Sequence, residues 1–386
     1  MTNIDKIAAI RRDLPATSKG VYLNTGTCGP VSRAVANTMA AVDERELTAG
    51  RIAPNAWQDY MAALADLRGS FARLLGADDD EIALTHHTTD GMNIGIWGLD
   101  WRPGDELITT NNEHEGGLIP AYNVARRLGV VVKVVDIGLG DGDVTGLLQA
   151  AMTPRTRLIS LSHVSWMSGA RLPLAEIVAM AHRQGALVLV DGAQSLGAIP
   201  VDVHALGADM YTATGQKWLC GPEGVGALYV RRAVLDQVQP TFAGYGTIYP
   251  DMDYDYQGNF RISAAASRYE IGTSSRSGNM AMLAGLRWLE EDVTWPWAHA
   301  RIAELAGMAT EMLDGLPGVT VLTPPSRAGL ISFTIAEQSP EAVVAVAGER
   351  GVWIRWLPKR GWLRVSTGFF NSEEDLNALC DALRAA

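Results

Sequence analysis

An apolar run, Val188-Leu189-Val190, ends on the carboxylate of Asp191 at the head of Gly192-Ala193-Gln194-Ser195, and further on comes Thr214-Gly215-Gln216-Lys217-Trp218. Taken alone, Asp191 could simply begin a loop or cap a helix. Lys217 follows a second apolar run and precedes Gly221-Pro222-Glu223-Gly224-Val225-Gly226, a poor place for a solubilising lysine. A third segment, Thr88-Thr89-Asp90-Gly91-Met92-Asn93, follows Ile82 to Thr85 and opens a helical stretch. Its hydroxyls and free backbone N–H groups suit a dianion, although either threonine could be an ordinary N-cap. A lysine for a Schiff base, an aspartate to hold a pyridinium proton and a phosphate cradle together describe the needs of pyridoxal 5′-phosphate.

The elements that must position these residues follow from the apolar pattern. Strand-sized runs at Ile82 to Thr85, Glu106 to Thr109, Val130 to Val135, Arg157 to Leu161, Leu187 to Val190, Ala208 to Thr212 and Gly226 to Val230 alternate with helix-sized stretches. Among the latter are Leu118 to Leu128 and Leu174 to Gln184, with a short one after Val144. This predicts an α/β fold with a large, mostly parallel sheet whose ligands lie beyond the carboxyl ends of the strands. Asp251 to about Ser267 reads as a loop, and Ser277 to Leu313 as one or two long helices. Val319 to Thr323, Gly329 to Ile335, Pro340 to Glu349, Val352 to Arg355, Trp362 to Ser366 and Glu373 to Leu383 then predict strand, strand, helix, strand, strand, helix, a smaller α/β domain.

The chain of 386 residues carries 47% hydrophobic residues and a formal charge of −11. That is apolar enough for a sizeable core, and no Lys/Arg run long enough to track a phosphate backbone appears, so nucleic acid is excluded as a partner. The apolar runs are far shorter than the roughly 20 residues a membrane span needs. No signal peptide is evident, and the three cysteines, Cys28, Cys220 and Cys380, are too scattered for a disulfide framework or a zinc cluster. A cytoplasmic enzyme without a membrane contact is the expectation.

From about Val21 to Leu383 the chain resembles the fold-type I, class V pyridoxal-phosphate enzymes, the cysteine desulfurase-like group that includes the cystine C-S lyases. The similar blocks are Asn24-Thr25-Gly26, Trp97-Gly98-Leu99-Asp100-Trp101, Glu113-His114, Ser162-His163-Val164-Ser165-Trp166, Leu172 to Ile177, Val190 to Ser195, Gln216-Lys217-Trp218 and Arg364. The resemblance implies a PLP-transferase fold with an N-terminal segment 1–20 packing on the small domain, a cofactor-binding domain 21–275 and a small domain 276–386. It makes Lys217 the Schiff-base lysine, Asp191 the partner of the pyridine nitrogen, Gln194 a donor to the ring hydroxyl and His114 the group stacked on the ring. It further gives the phosphate to Thr88, Thr89 and Thr214, with Thr273 reaching the phosphate of a neighbouring subunit, hence a homodimer with shared active sites. Arg364 is implied to clamp the α-carboxylate of a small amino-acid substrate, with Arg355, Asn24 and Trp166 beside it. Read without the resemblance, His114 could be a surface histidine, Trp166 a core residue and Arg355 one half of a surface ion pair.

Two departures bear on the reaction. Gln216 stands where the group usually has histidine; its amide can donate to phosphate but cannot act as an acid or base. A desulfurase also needs a thiol on a small-domain loop, and the segment Trp353 to Trp362 has none. Direct β-elimination from L-cystine, L-cysteine or a cysteine S-conjugate, giving pyruvate, ammonia and a thiol or persulfide, is therefore the expected activity. The alternatives are desulfuration, epimerisation, or lysis or oxidative deamination of S-conjugates.

Overall fold

The structure is a computed structural model that describes residues 3–386. Met1 and Thr2, the start of the N-terminal segment, lie outside the described residues. α1 (Asn3–Asp13), β1 (Val21–Tyr22), α2 (Arg33–Ala49) and α3 (Ala56–Leu75) come first. An alternating series follows: β2 (Ile82–Thr85), α4 (Thr88–Trp97), β3 (Glu106–Thr110), α5 (Glu115–Leu128), β4 (Val131–Val135) and α6 (Val144–Ala151). It continues through β5 (Thr156–Ser162), α7 (Leu174–Arg183), β6 (Leu187–Asp191), α8 (Val203–Leu206), β7 (Met210–Thr214) and β8 (Gly226–Val230). The last stretch holds α9 (Arg276–Trp288), α10 (Trp295–Asp314), β9 (Val319–Val321), β10 (Leu330–Ile335), α11 (Pro340–Glu349), β11 (Val352–Trp353), β12 (Arg355–Leu357), β13 (Trp362–Ser366) and α12 (Glu373–Arg384).

Seven strands form the large sheet in the order β2-β8-β7-β6-β5-β3-β4, parallel except for β8, which runs against both neighbours. Its central strands are apolar on both faces because helices cover both, and residues such as Leu161, Val188, Val190 and Tyr229 are fully buried. The register sets Ser162 beside Asp191 and Asp191 beside Thr212, so Ser162 and Asp191 emerge together at the carboxyl edge of an otherwise apolar sheet, with Thr212 beside them two residues before the end of β7. The second sheet, β12-β13-β10-β9, is antiparallel and smaller. Among the described residues three apolar clusters divide the interior, one of them gathering Met92, Ile96, Leu107, Leu158, Leu189 and Leu228. Leu67 and Phe71 of α3 and Met282, Leu286 and Trp288 of α9 join the large sheet, together with Ile10 and Leu14. The remaining cluster gathers Leu305, Leu313, Phe333, Val365, Leu376 and Leu379. Arg11 of α1 also reaches across to the carbonyl of Phe370 and the carboxylate of Asp375.

Several boundaries shift from the apolar reading by a few residues, and two of the shifts matter for the site. Val352 to Arg355 is not one strand: β11 pairs in parallel with β1, whereas β12 pairs with β13, and Ile354 is where the backbone changes partners. The run starting at Ala208 becomes a strand only from Met210 and extends to Thr214, which puts the Thr214 hydroxyl at the strand end. The long helical stretch is two helices, interrupted by a π-type turn at Leu289–Val293 and by Thr294, whose φ is 65°. No helix among the described residues is long and apolar enough to cross a membrane.

Candidate active site

A cavity of about 430 Å³ opens at the carboxyl edge of the large sheet and is lined by residues of both sheets. Asp191, the last residue of β6, is buried and accepts a hydrogen bond at Oδ1 from the backbone N–H of Ala193 at 2.9 Å. Lys217 lies in the turn after β7 and faces the same cavity. Its position depends on the chain's opening loop, where the N–H of Gly29 donates to the carbonyl of Gln216 at 2.8 Å. A Cβ on Gly29 would lie 2.1 Å from the Lys217 carbonyl oxygen, so only glycine permits this approach. Burial pulls the Lys217 ammonium down to about 8, with Asp191 opposing and the arginines Arg364 and Arg355 adding to the fall.

Around this pair the side chains are mutually fixed. Gln194 accepts from the indole N–H of Trp218 at 2.9 Å and donates to the carbonyl of Gly26 at 2.8 Å. The Thr214 hydroxyl donates to Oε1 of Gln216, which turns the amide nitrogen of Gln216 toward other acceptors. His114 is the N-cap of α5, its Nδ1 accepting from the N–H of Gly116 at 3.0 Å, so its hydrogen sits on Nε2. Its ring meets Trp166 edge-on at 5.0 Å between centroids. Burial and the Lys217 charge push the His114 imidazole down, favouring the neutral ring against the opposing pull of Asp191 and Glu115.

On the opposite wall, Arg364 is 1% exposed and donates to the carbonyl of Trp166 at 2.8 Å and to the Thr27 hydroxyl at 3.3 Å. Arg355 donates to the same hydroxyl at 3.1 Å, and Thr27 in turn donates to Oδ1 of Asn24 at 2.7 Å. Among the described residues neither guanidinium has a carboxylate partner, and Nε of Arg364 is buried without any partner. Burial, with Arg355 adding repulsion, lowers Arg364 to about 9. Two cations around one hydroxyl can receive a carboxylate.

Of the residues expected from the sequence, Thr88, Thr89, His114, Trp166, Asp191, Gln194, Thr214, Gln216, Lys217, Arg355 and Arg364 all line this cavity. Asn24 stands one hydrogen bond behind it, through Thr27. Thr273 is not brought in: it shares a 2.8 Å hydrogen bond with the Tyr245 hydroxyl and lines other surface depressions. Sequence reasoning missed Thr27, Ser162 and His87, which also line the cavity, and Glu113 behind it. The carboxyl of Glu113 is buried and held by Thr110 at 2.6 Å and Ser162 at 2.5 Å; burial raises it to about 7, those two bonds opposing and Asp191 adding. Ser162 carried a usable signal, since it ends an apolar run as Asp191 does; Thr27 carried none beyond its nearness to Asn24.

A profile of the aminotransferase class-V family matches residues 21–379. The chain belongs to the aminotransferase class-V family. With that family it is a pyridoxal-phosphate-dependent enzyme. Among this class-V enzyme's relatives, a probable cysteine desulfurase of Mycolicibacterium paratuberculosis is 30% identical over 344 residues, 83% of this chain but 48% of that protein. The chain thus spans about half the length of that relative. A probable cysteine desulfurase of Methanothermobacter thermautotrophicus is 29% identical over 97% of this chain and 96% of its own. Two structures of the cystine C-S lyase C-DES superpose with TM-scores of 0.91 and 0.90 at 31% identity, covering 97% and 96% of this chain and 98% of each of theirs. One is a lysine-to-alanine variant with glycine covalently linked to the PLP cofactor; the other holds the reaction product cysteine persulfide.

The class-V chain's own residues fit that cofactor. The hydroxyl of Thr88 is buried without a partner at the N-terminus of α4, where the first turn's backbone N–H groups, apart from that of Asp90 held by His87, suit an anion. The Asp191 carboxylate lies in the same cavity as the Lys217 amine, and that cavity of about 430 Å³ has room for an aromatic ring.

Proposed function

We propose that this chain is a C–S β-lyase acting on L-cystine, L-cysteine or a cysteine S-conjugate. With one water, each turnover yields the thiol or persulfide, pyruvate and ammonia. The observation that carries the reading is a cavity holding Lys217, Asp191 and two arginines without carboxylate partners, with no cysteine among its lining residues. Burial raises the Cys220 thiol to about 12, and it also raises those of Cys28 and Cys380, so none of the three is set up as a sulfur nucleophile.

Bound pyridoxal 5′-phosphate supplies an electron sink for negative charge at the substrate Cα. Asp191 is the anion that keeps a proton on the ring nitrogen. Arg364 takes the substrate α-carboxylate, Arg355 adds a second positive charge at the mouth, and Thr27 with Asn24 orients both. Lys217 takes the α-proton at Nζ, its depressed pKa making the neutral amine available near neutral pH. His114 and Trp166, which meet edge-on, wall the cavity and would keep water from the bound cofactor.

The test is product analysis: purified protein with L-cystine, L-cysteine and a bulky S-conjugate, followed for pyruvate, ammonia, sulfide and alanine. Pyruvate and ammonia in equal amounts are expected, unchanged to within about twofold when Cys28→Ser, Cys220→Ser and Cys380→Ala are combined in a folded variant. Alanine with a protein persulfide would replace this reading by desulfuration, the activity named for the relatives, with Cys28 as its thiol because it feels the charges of Lys217 and Arg355.

The active form in this reading is a homodimer. Its support is the exposed apolar patch around Thr273, where Phe242, Tyr245 and Ile271 are 70%, 47% and 49% exposed. Sedimentation at assay concentration is expected to give a dimer; a fully active monomer would overturn this.

A further inference from the structure

We propose that His87 is a cofactor-positioning residue whose Nε2–H donates to the phosphate of pyridoxal 5′-phosphate, making an imidazole part of the cradle at the start of α4. His87 lines the same cavity as Thr88, Thr89, Thr214 and Gln216. It is the N-cap of α4, with extended backbone (φ −169°, ψ 169°), and its Nδ1 accepts from the N–H of Asp90 at 3.2 Å. Since Nδ1 is the acceptor, the ring's hydrogen lies on Nε2, for which no protein acceptor is found among the described residues. The cap therefore fixes both the tautomer and the ring's orientation. The neighbouring His86 is engaged differently: its Nδ1 bonds the Asp90 carboxylate at 2.7 Å, and it lies outside this cavity. A second observation marks the same spot as an anion site, since the Thr88 hydroxyl is 92% buried yet unpartnered by any protein atom. Asp90, the one carboxylate at this helix start, bonds the ring and N–H of His86 through Oδ2, while its Oδ1 stands 3.6 Å from Nδ1 of His87 and so does not engage Nε2. Gly226 leaves the space this needs, because a Cβ there would come within 3.3 Å of the His87 Cα.

The inference rests on the cofactor assignment, and the experiment separates the two. Apo protein is titrated with pyridoxal 5′-phosphate and, in parallel, with pyridoxal, which lacks the phosphate, by equilibrium dialysis. His87→Ser keeps a good N-cap acceptor for Asp90 while removing the ring donor. It is expected to weaken pyridoxal 5′-phosphate about 10- to 100-fold, the scale of one hydrogen bond to a charged group, and to leave pyridoxal unchanged. His87→Asn, which offers both a cap acceptor and an N–H donor, should recover most of the loss, and His86→Ser should match the wild type. Equal weakening of both ligands would make His87 a helix cap only, and no weakening of either would remove it from the cradle; both results overturn the proposal. If His87→Ser does not fold, His87→Asp replaces it, since aspartate caps as well and sets a carboxylate against the phosphate. A wild-type protein that binds neither ligand would instead overturn the cofactor assignment.

Discussion

Lys217→Ala is expected to leave a folded protein that still takes up pyridoxal 5′-phosphate and turns over no substrate. The phosphate cradle and Asp191 do not touch the lysine side chain, so cofactor uptake survives, whereas the α-proton loses the one amine in the cavity able to receive it. The loss of a general base alone accounts for roughly 10²–10⁴-fold, and the covalent attachment of the cofactor goes with it. Pyruvate formation at saturating cystine measures the first effect. Borohydride reduction followed by peptide mass mapping measures the second, with the adduct on the Lys217 peptide in the wild type and on none in the variant. Turnover within tenfold of the wild type, or an adduct on another lysine, would end the assignment.

Arg364→Ala carries the second largest effect. The guanidinium is buried, lacks a carboxylate partner and leaves Nε unsatisfied, and in the proposed reading the substrate carboxylate is the group that completes it. Truncating one member of a buried charged pair costs about 2–5 kcal/mol, which predicts a fall in kcat/KM of roughly 30- to 4000-fold with the cofactor absorbance unchanged. Arg364→Lys should recover little, because an ammonium cannot match the two oxygens of a carboxylate side by side. The same isolation has a cost in the absence of substrate, since a buried cation without an anion opposes folding. Apo Arg364→Met is therefore expected to melt no lower than the wild type while remaining inactive. A melting temperature well below wild type would show that the bonds to Trp166 and Thr27 outweigh the isolation.

Much of the site was legible because its chemistry sits at strand ends. Asp191, Lys217 and Thr88 each follow an apolar run, so reading those runs as strands buried on both faces places them at one edge before any contact is known. Thr27 was not legible, since its role comes from two arginines more than 300 positions away that converge on its hydroxyl only after β12 and β13 pair. The break at Ile354 escaped for a related reason: Val352 to Arg355 is uniformly extended, and only the two different pairing partners divide it. Thr273 marks another limit, because a residue expected to serve a neighbouring subunit leaves no trace in the cavity of its own chain.

The opening loop from Leu23 to Gly29 has a mechanical consequence. At one end the N–H of Ser366 donates to the Leu23 carbonyl and the N–H of Leu23 to that of Trp353, tying the loop to the β11 and β13 side of the molecule. At the other end Gly29 is bonded to Gln216, next to the reactive amine. The loop is thus a short tether with one foot on the arginine-bearing sheet and the other on the lysine turn. Any swing of the smaller sheet as substrate enters would pull on both, so the carboxylate receptor and the proton acceptor must move in step or not at all. Lengthening that tether by a glycine or two is expected to loosen the timing between capture and chemistry.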